Sequence, residues 1–96
     1  KTRNLSFNIT LEDVFNQWFK QKEKCNLTGV TLIPPTSFTD RIKPTASLDR
    51  IDSKKGYTKN NIQWVHKDIN KMKMDLPEEK LLYWAKKLVQ YSKKKK

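Results

Sequence analysis

The run Ala46-Ser47-Leu48-Asp49-Arg50-Ile51-Asp52, then Gly56-Tyr57, then Asn61-Ile62-Gln63-Trp64-Val65-His66, closing on Asn70 and Lys73, constrains the fold more than any other part of the chain. It reads as strand, tight turn, strand and short helix, and it aims oxygen-bearing side chains from a strand and from a helix at one place. A hard divalent cation such as Mg²⁺ takes a few carboxylate or amide oxygens and keeps its remaining waters, so an Asp on a strand facing an Asn on a helix suits it. Such an arrangement fits the cleavage of a phosphodiester.

At 96 residues the chain is one small domain with room for one site. Hydrophobic residues make up 35% and only two residues are Gly, so core-forming material is present and disorder is not expected, although 32% of residues are charged. No apolar run reaches the roughly 18 to 20 residues of a membrane span, and the amino terminus lacks a secretion signal, so a soluble globular domain with no membrane partner is expected. The chain begins at Lys1 rather than Met, as a fragment of a longer protein would. Its net charge of +11 falls only to +7 without Lys93 to Lys96, which points to a polyanionic partner, nucleic acid ahead of an acidic membrane or protein surface. One cysteine, Cys25, excludes an internal disulfide and fits a cytoplasmic or other intracellular reducing compartment.

Thr10 with Asp13 is a weak capping box opening a helix over about residues 10–23. Leu11, Val14, Phe15, Trp18 and Phe19 form its apolar stripe and are assigned to the core. A turn at Cys25 to Gly29 leads to a short strand, Val30 to Ile33, stopped by Pro34-Pro35. Residues 36–43 read as a surface loop with Arg41 and Lys43 able to touch phosphates. The hairpin and its helix occupy about residues 45–75, with Ile69 and Met72 on the inner helix face. Pro77, Glu78 and Glu79 open a last helix over about residues 77–92, whose Leu81, Trp84, Ala85, Leu88 and Tyr91 form a second core stripe. The expected class is α+β: a ββα unit between an N-terminal and a C-terminal helix.

The spacing Ser-Leu-Asp-Arg-Ile-Asp, Gly-Tyr, Asn-Ile-Gln-Trp-Val and Asn-Lys-Met-Lys resembles that of the His-Asn-His (HNH) endonucleases with the ββα-metal fold, in particular small phage-type members. The likeness covers roughly Cys25 to Leu76. It implies that Asp49 and Asn70 hold one Mg²⁺ or Mn²⁺, which binds the scissile phosphate and neutralises charge on the leaving oxygen. It also implies that Asn61 ties the long connection between the strands to the backbone and keeps strand and helix ligands in register; the plainer reading is a turn former.

One departure matters. In familiar members a His follows the Asp and activates the attacking water, whereas here Arg50 stands in that place. Arginine stays protonated and cannot act as an ordinary base, but it can grip a phosphate with two hydrogen bonds. Two residues could replace the base. Asp52 lies where a related Asp-Arg-Gly-His branch puts its His, and His66 ends the second strand; for His66 the plainer reading is a cap at the helix start. Structural zinc is not expected, because Cys25 has Thr28 and His66 has Ile69 where second ligands would stand. Cys25 is read instead as a buried thiol beside Leu27.

Lys54, Lys55, Lys59, Lys67, Lys71 and Lys73 surround the Asp and Asn pair and suit phosphate contact, and neutralising about six phosphates on duplex DNA would give a log-log salt slope of roughly −5. Trp64 and Tyr57 could stack on bases, although Trp64 between Gln63 and Val65 reads as core. The expected activity is Mg²⁺-dependent cleavage of double-stranded DNA. The alternative is a catalytically impaired relative that only binds nucleic acid, and a basic assembly protein is the remaining rival.

Overall fold

The computed structural model describes residues 7–35 and 43–95. The Arg41 assignment and most of the 36–43 loop lie outside them. The elements in chain order are β1 (Phe7–Asn8), α1 (Leu11–Lys20), β2 (Ala46–Arg50), β3 (Tyr57–Thr58), β4 (Ile62–His66), α2 (Lys67–Lys73) and α3 (Glu78–Lys94). Among the described residues the protein is a small α+β molecule with three helices, a short two-stranded antiparallel sheet of β2 and β4, and a two-residue parallel pairing of β1 and β3. Among the described residues no helix is long and apolar enough to cross a membrane.

The capping box forms. The Thr10 hydroxyl accepts from the Asp13 N–H at 3.1 Å, and the Asp13 carboxylate accepts from the Thr10 N–H at 3.0 Å. The helix stops at Lys20, short of the expected position near 23, because Lys22 and Glu23 take left-handed backbone conformations with φ of 56° and 62°. Neither residue is Gly, so this reversal is strained. It turns the chain back so that Cys25 enters the core.

β2 and β4 pair antiparallel with Asp49 opposite Gln63 and Leu48 opposite Trp64. Side chains alternate across a strand, so Leu48 and Trp64 share one face while Ser47, Asp49, Gln63 and Val65 share the other. Trp64 meets Trp18 of α1 edge to face at 5.2 Å, and its indole N–H donates to the Val14 carbonyl at 3.1 Å. The outer edge of β4 is closed by a side chain. Gln21 donates to the Trp64 carbonyl and accepts from the Trp64 N–H, both at 2.9 Å, and so substitutes for a neighbouring strand. With α1 on one face and α2 on the other, Ile62 to Val65 are buried throughout.

Several expectations fail. Val30 to Ile33 is no strand: one isolated bridge joins Thr31 to Lys24, and Ile33 instead donates to the Thr45 hydroxyl at 2.9 Å. A further short strand, β1, precedes the first helix, and its two residues pair parallel with β3. Pairs this short carry no periodicity to read. Of the α1 stripe only Trp18 is buried and Val14 partly so, while Leu11, Phe15 and Phe19 stay exposed. On α2, Ile69, Asn70 and Lys73 face inward and Met72 faces solvent. The second core stripe is absent as such. α3 has no buried residue, and Trp84, Leu88 and Tyr91 are all exposed, because the helix meets the body mainly along α2 and only Leu81 and Ala85 are half-covered.

Candidate functional site

The seam between β2 and α2 gathers the chemistry. Positions two apart on a strand share a face and positions three apart on a helix share a face, so Ser47 and Asp49 meet Asn70 and Lys73. The Asn70 amide donates to the Ser47 hydroxyl at 2.7 Å. The Lys73 ammonium lies 3.1 Å from Asp49 Oδ2 and 3.4 Å from Oδ1, and it also donates to the Arg50 carbonyl at 3.0 Å. Gln63 completes the carboxylate's environment, donating to Oδ2 at 2.9 Å, and is itself held by the Asn26 amide at 2.8 Å. Asp49 is 6% exposed and Lys73 is 0% exposed, so both charges of this pair are out of water.

Desolvating two charges is costly, and in the interior their attraction offsets that cost only when further hydrogen bonds satisfy the remaining donors and acceptors. Gln63 and the Arg50 carbonyl supply those bonds here. Lys73 therefore does not belong with the phosphate-facing lysines: its ammonium has no exposed surface from which to reach a ligand. Its place on the inner face of α2, in line with Ile69, decides this.

The loop after β2 is held by two side chains. Asn61 accepts from the Asp52 N–H at 2.9 Å and donates to the carbonyls of Asp52 at 3.1 Å and Gly56 at 2.8 Å. Arg50 Nη1 donates to the carbonyls of Ser53 at 3.0 Å and Lys55 at 3.1 Å, and its guanidinium lies over the Tyr57 ring at 5.3 Å. Asp52, half-buried on this loop, accepts from the Lys54 N–H at 2.9 Å.

His66 lies elsewhere. It is the residue preceding α2, and its Nδ1 accepts from the Asp68 N–H at 3.1 Å, as a helix cap does. Three positions separate it from Gln63, which puts it on the opposite strand face and roughly 10 Å along the strand from Asp49. Its backbone N–H donates to the Cys25 sulfur at 3.4 Å. Burial pushes the Cys25 thiol's pKa up, but hydrogen bonds from the Thr28 side chain and the backbone of His66, Leu27 and Thr28 outweigh it, leaving the pKa below the ordinary thiol value. Among the described residues no three His, Cys, Asp or Glu side chains gather as a metal-ligating group.

Lys54, Lys55, Lys59, Lys67 and Lys71 are exposed, the first three around the hairpin loop and the others on the outer face of α2. Trp64 is committed to Trp18 and is not available to stack. Sequence reasoning missed Ser47, Asn26 and Gln63 as members of the seam. Gln63 carried a signal: a lone amide inside the run Ile62 to Val65 must find partners once that run is buried.

Comparison with known proteins adds no relative: no family model, no curated protein and no solved structure matches this chain.

Proposed function

We propose that this chain is a small nuclease unit of the ββα-metal type, or such a domain of a longer protein, hydrolysing phosphodiester bonds in DNA with Mg²⁺ or Mn²⁺. The observation that supports the reading is the seam, on which Asn70 of α2 pairs with Ser47 of β2 and, about one helical turn on, Lys73 pairs with Asp49 two residues along the same strand face. The donor types of Asp49 and Asn70 fit a hard cation: Asp49 Oδ1 has only the long contact from Lys73, and the Asn70 amide, donating through its nitrogen to Ser47, keeps its oxygen for another partner. When bound there, the cation would neutralise charge at the scissile phosphate. Lys73 is a like-charged neighbour of that cation and weakens its affinity.

The remaining roles fall to this chain's own groups. Arg50 is anchored through Nη1, and the guanidinium's three further N–H donors suit a phosphate oxygen. Asp52 stands on the loop that Arg50 holds, whereas His66 is turned to the start of α2, so Asp52 is the base in this reading. The five exposed lysines bind the backbone without sequence preference, with a log-log salt slope on duplex DNA of roughly −4 to −5.

A second reading, a nucleic-acid-binding module without cleavage, is favoured by one observation: the Asp49 carboxylate is already engaged by Lys73 and Gln63. Incubation with supercoiled plasmid and Mg²⁺ or Mn²⁺, beside Asp49→Ala and Asn70→Ala, separates the two. Nicking that Asn70→Ala abolishes while retaining DNA binding supports the nuclease. DNA retention with no nicking by the parent supports the module.

A further inference from the structure

The two sides of α3 differ in chemistry. Leu81 and Ala85, the residues that the body half-covers, lie together on one side. Away from them, an arc of about 120° holds Tyr83, Trp84 and Tyr91 together with Lys80, Lys87, Lys94 and Lys95, all of them exposed. Glu78 and Glu79 fall outside it, so the arc carries no acid. In chain order it reads cation, two rings, cation, ring, two cations, over about 22 Å of helix. The Lys87 ammonium lies 5.5 Å from the centre of the Tyr83 ring and the Lys95 ammonium 5.6 Å from that of Tyr91. Trp84, Lys87, Tyr91 and Lys95 line one open groove along this side.

Lysines with no acid among them call for an anion, and exposed flat rings call for flat apolar faces. A ligand that repeats both at short intervals is a single-stranded nucleic acid. We propose that this side of α3 is a track for single-stranded nucleic acid, with Trp84 and Tyr91 stacking on bases and the four lysines holding phosphates. In a duplex the bases are stacked on one another, so the rings would find no partner there. Exposed cation–π contacts are weak, so a phosphate that draws Lys87 from Tyr83, or Lys95 from Tyr91, leaves the ring face open to a base.

An anionic lipid surface matches the charge but not the order of residues. A helix lying in a bilayer interface keeps its cations off its apolar face, whereas here they stand between the rings. The inference goes beyond the nuclease reading and does not rest on it, because none of these side chains belongs to the seam.

The test uses the full chain in EDTA, so that binding is read whether or not the protein cleaves. The probes are an oligothymidylate of about 20 nucleotides, a duplex of the same length, and vesicles of phosphatidylserine and phosphatidylcholine. Trp18 and Trp64 are buried and Trp84 is exposed, so a change in tryptophan emission reports Trp84, and the oligothymidylate is expected to quench it. With labelled DNA, Trp84→Ala should weaken single-strand binding by about fivefold to a hundredfold, with duplex binding and helical circular dichroism unchanged. Trp84→Tyr should restore most of that loss. Lys80→Gln combined with Lys87→Gln should flatten the log-log salt slope on the single strand by roughly 1.4. Trp84 emission that the oligothymidylate leaves unchanged overturns the proposal, as does a Trp84→Ala variant that loses single-strand and duplex binding equally. So does emission that responds to the vesicles and not to the oligonucleotide, which would make the ligand a membrane.

Discussion

The seam and α3 are opposite solutions to holding a helix. α2 is seven residues long and carries two lysines and an aspartate on its outer face, yet it is fixed to the sheet by named polar contacts, Asn70 to Ser47 and Lys73 to Asp49 and the Arg50 carbonyl. α3 is seventeen residues long, with a far more apolar face, and buries none of its residues. Apolar content does not decide whether a helix is held; the presence of a complementary surface does. The seam should therefore be brittle towards single polar changes, and α3 should tolerate apolar ones.

The sharpest way to break that contrast is Lys73→Met. It leaves the Asp49 carboxylate buried beside no cation, a loss of about 3–5 kcal/mol. In a domain of this size that lowers the melting temperature by roughly 15–30 °C. A thermal scan showing a drop of only a degree or two would mean that the pair is not buried in solution. Pairing it with Asp49→Asn should recover part of the loss, since no uncompensated charge then remains.

Asn61→Ala comes next. It removes a side chain that makes three hydrogen bonds to backbone, with an expected cost of about 2–3 kcal/mol. Amide exchange at Asp52 should accelerate by more than at Leu48, which the β2 and β4 ladder holds; equal acceleration would show that Asn61 does not act on the loop.

His66→Ala is a smaller test, about 1 kcal/mol for the lost cap of α2, read from chemical denaturation. The smallest effect belongs to α3. Leu88→Glu should change stability by less than about 0.5 kcal/mol. A larger loss would show that the α3 face is covered within one chain and would erase the contrast with the seam.

Much of the architecture was legible because it rests on local rules. The Thr10 and Asp13 box, the hairpin strands around Asp49 and Ile62 to Val65, and Pro77 before two glutamates each mark an element by capping, alternation or helix polarity, and the elements fall within a few residues of the expected places. The misreadings share a cause. Val30 to Ile33 has strand-like residues but no neighbour with which to pair beyond one bridge, and the α1 and α3 stripes have helical spacing but only partial cover. A periodic stripe states which side of a helix is apolar, not whether anything lies against it.

The candidate site divides in the same way. That Asp49 and Asn70 belong to one strand and one helix close in the chain follows from their spacing, as does the cluster of lysines around them. The state of the Asp49 carboxylate does not. Lys73 looked like another surface cation in a chain with 21 basic residues, and only the packing of α2 against β2 turned it inward to become the carboxylate's counter-ion.

The sequence by itself determined the three helices, the β2 and β4 hairpin, their order and the excess of positive charge, because capping, side-chain alternation and composition act within a few residues of the chain. Tertiary structure alone decided which stripes are buried, that Gln63 reaches Asp49 and is itself held by Asn26, and that Lys73 and not solvent faces that carboxylate. Those outcomes depend on how helices sit on a sheet, and burial turns an ordinary lysine, amide or tryptophan into a structural contact only once that docking is fixed.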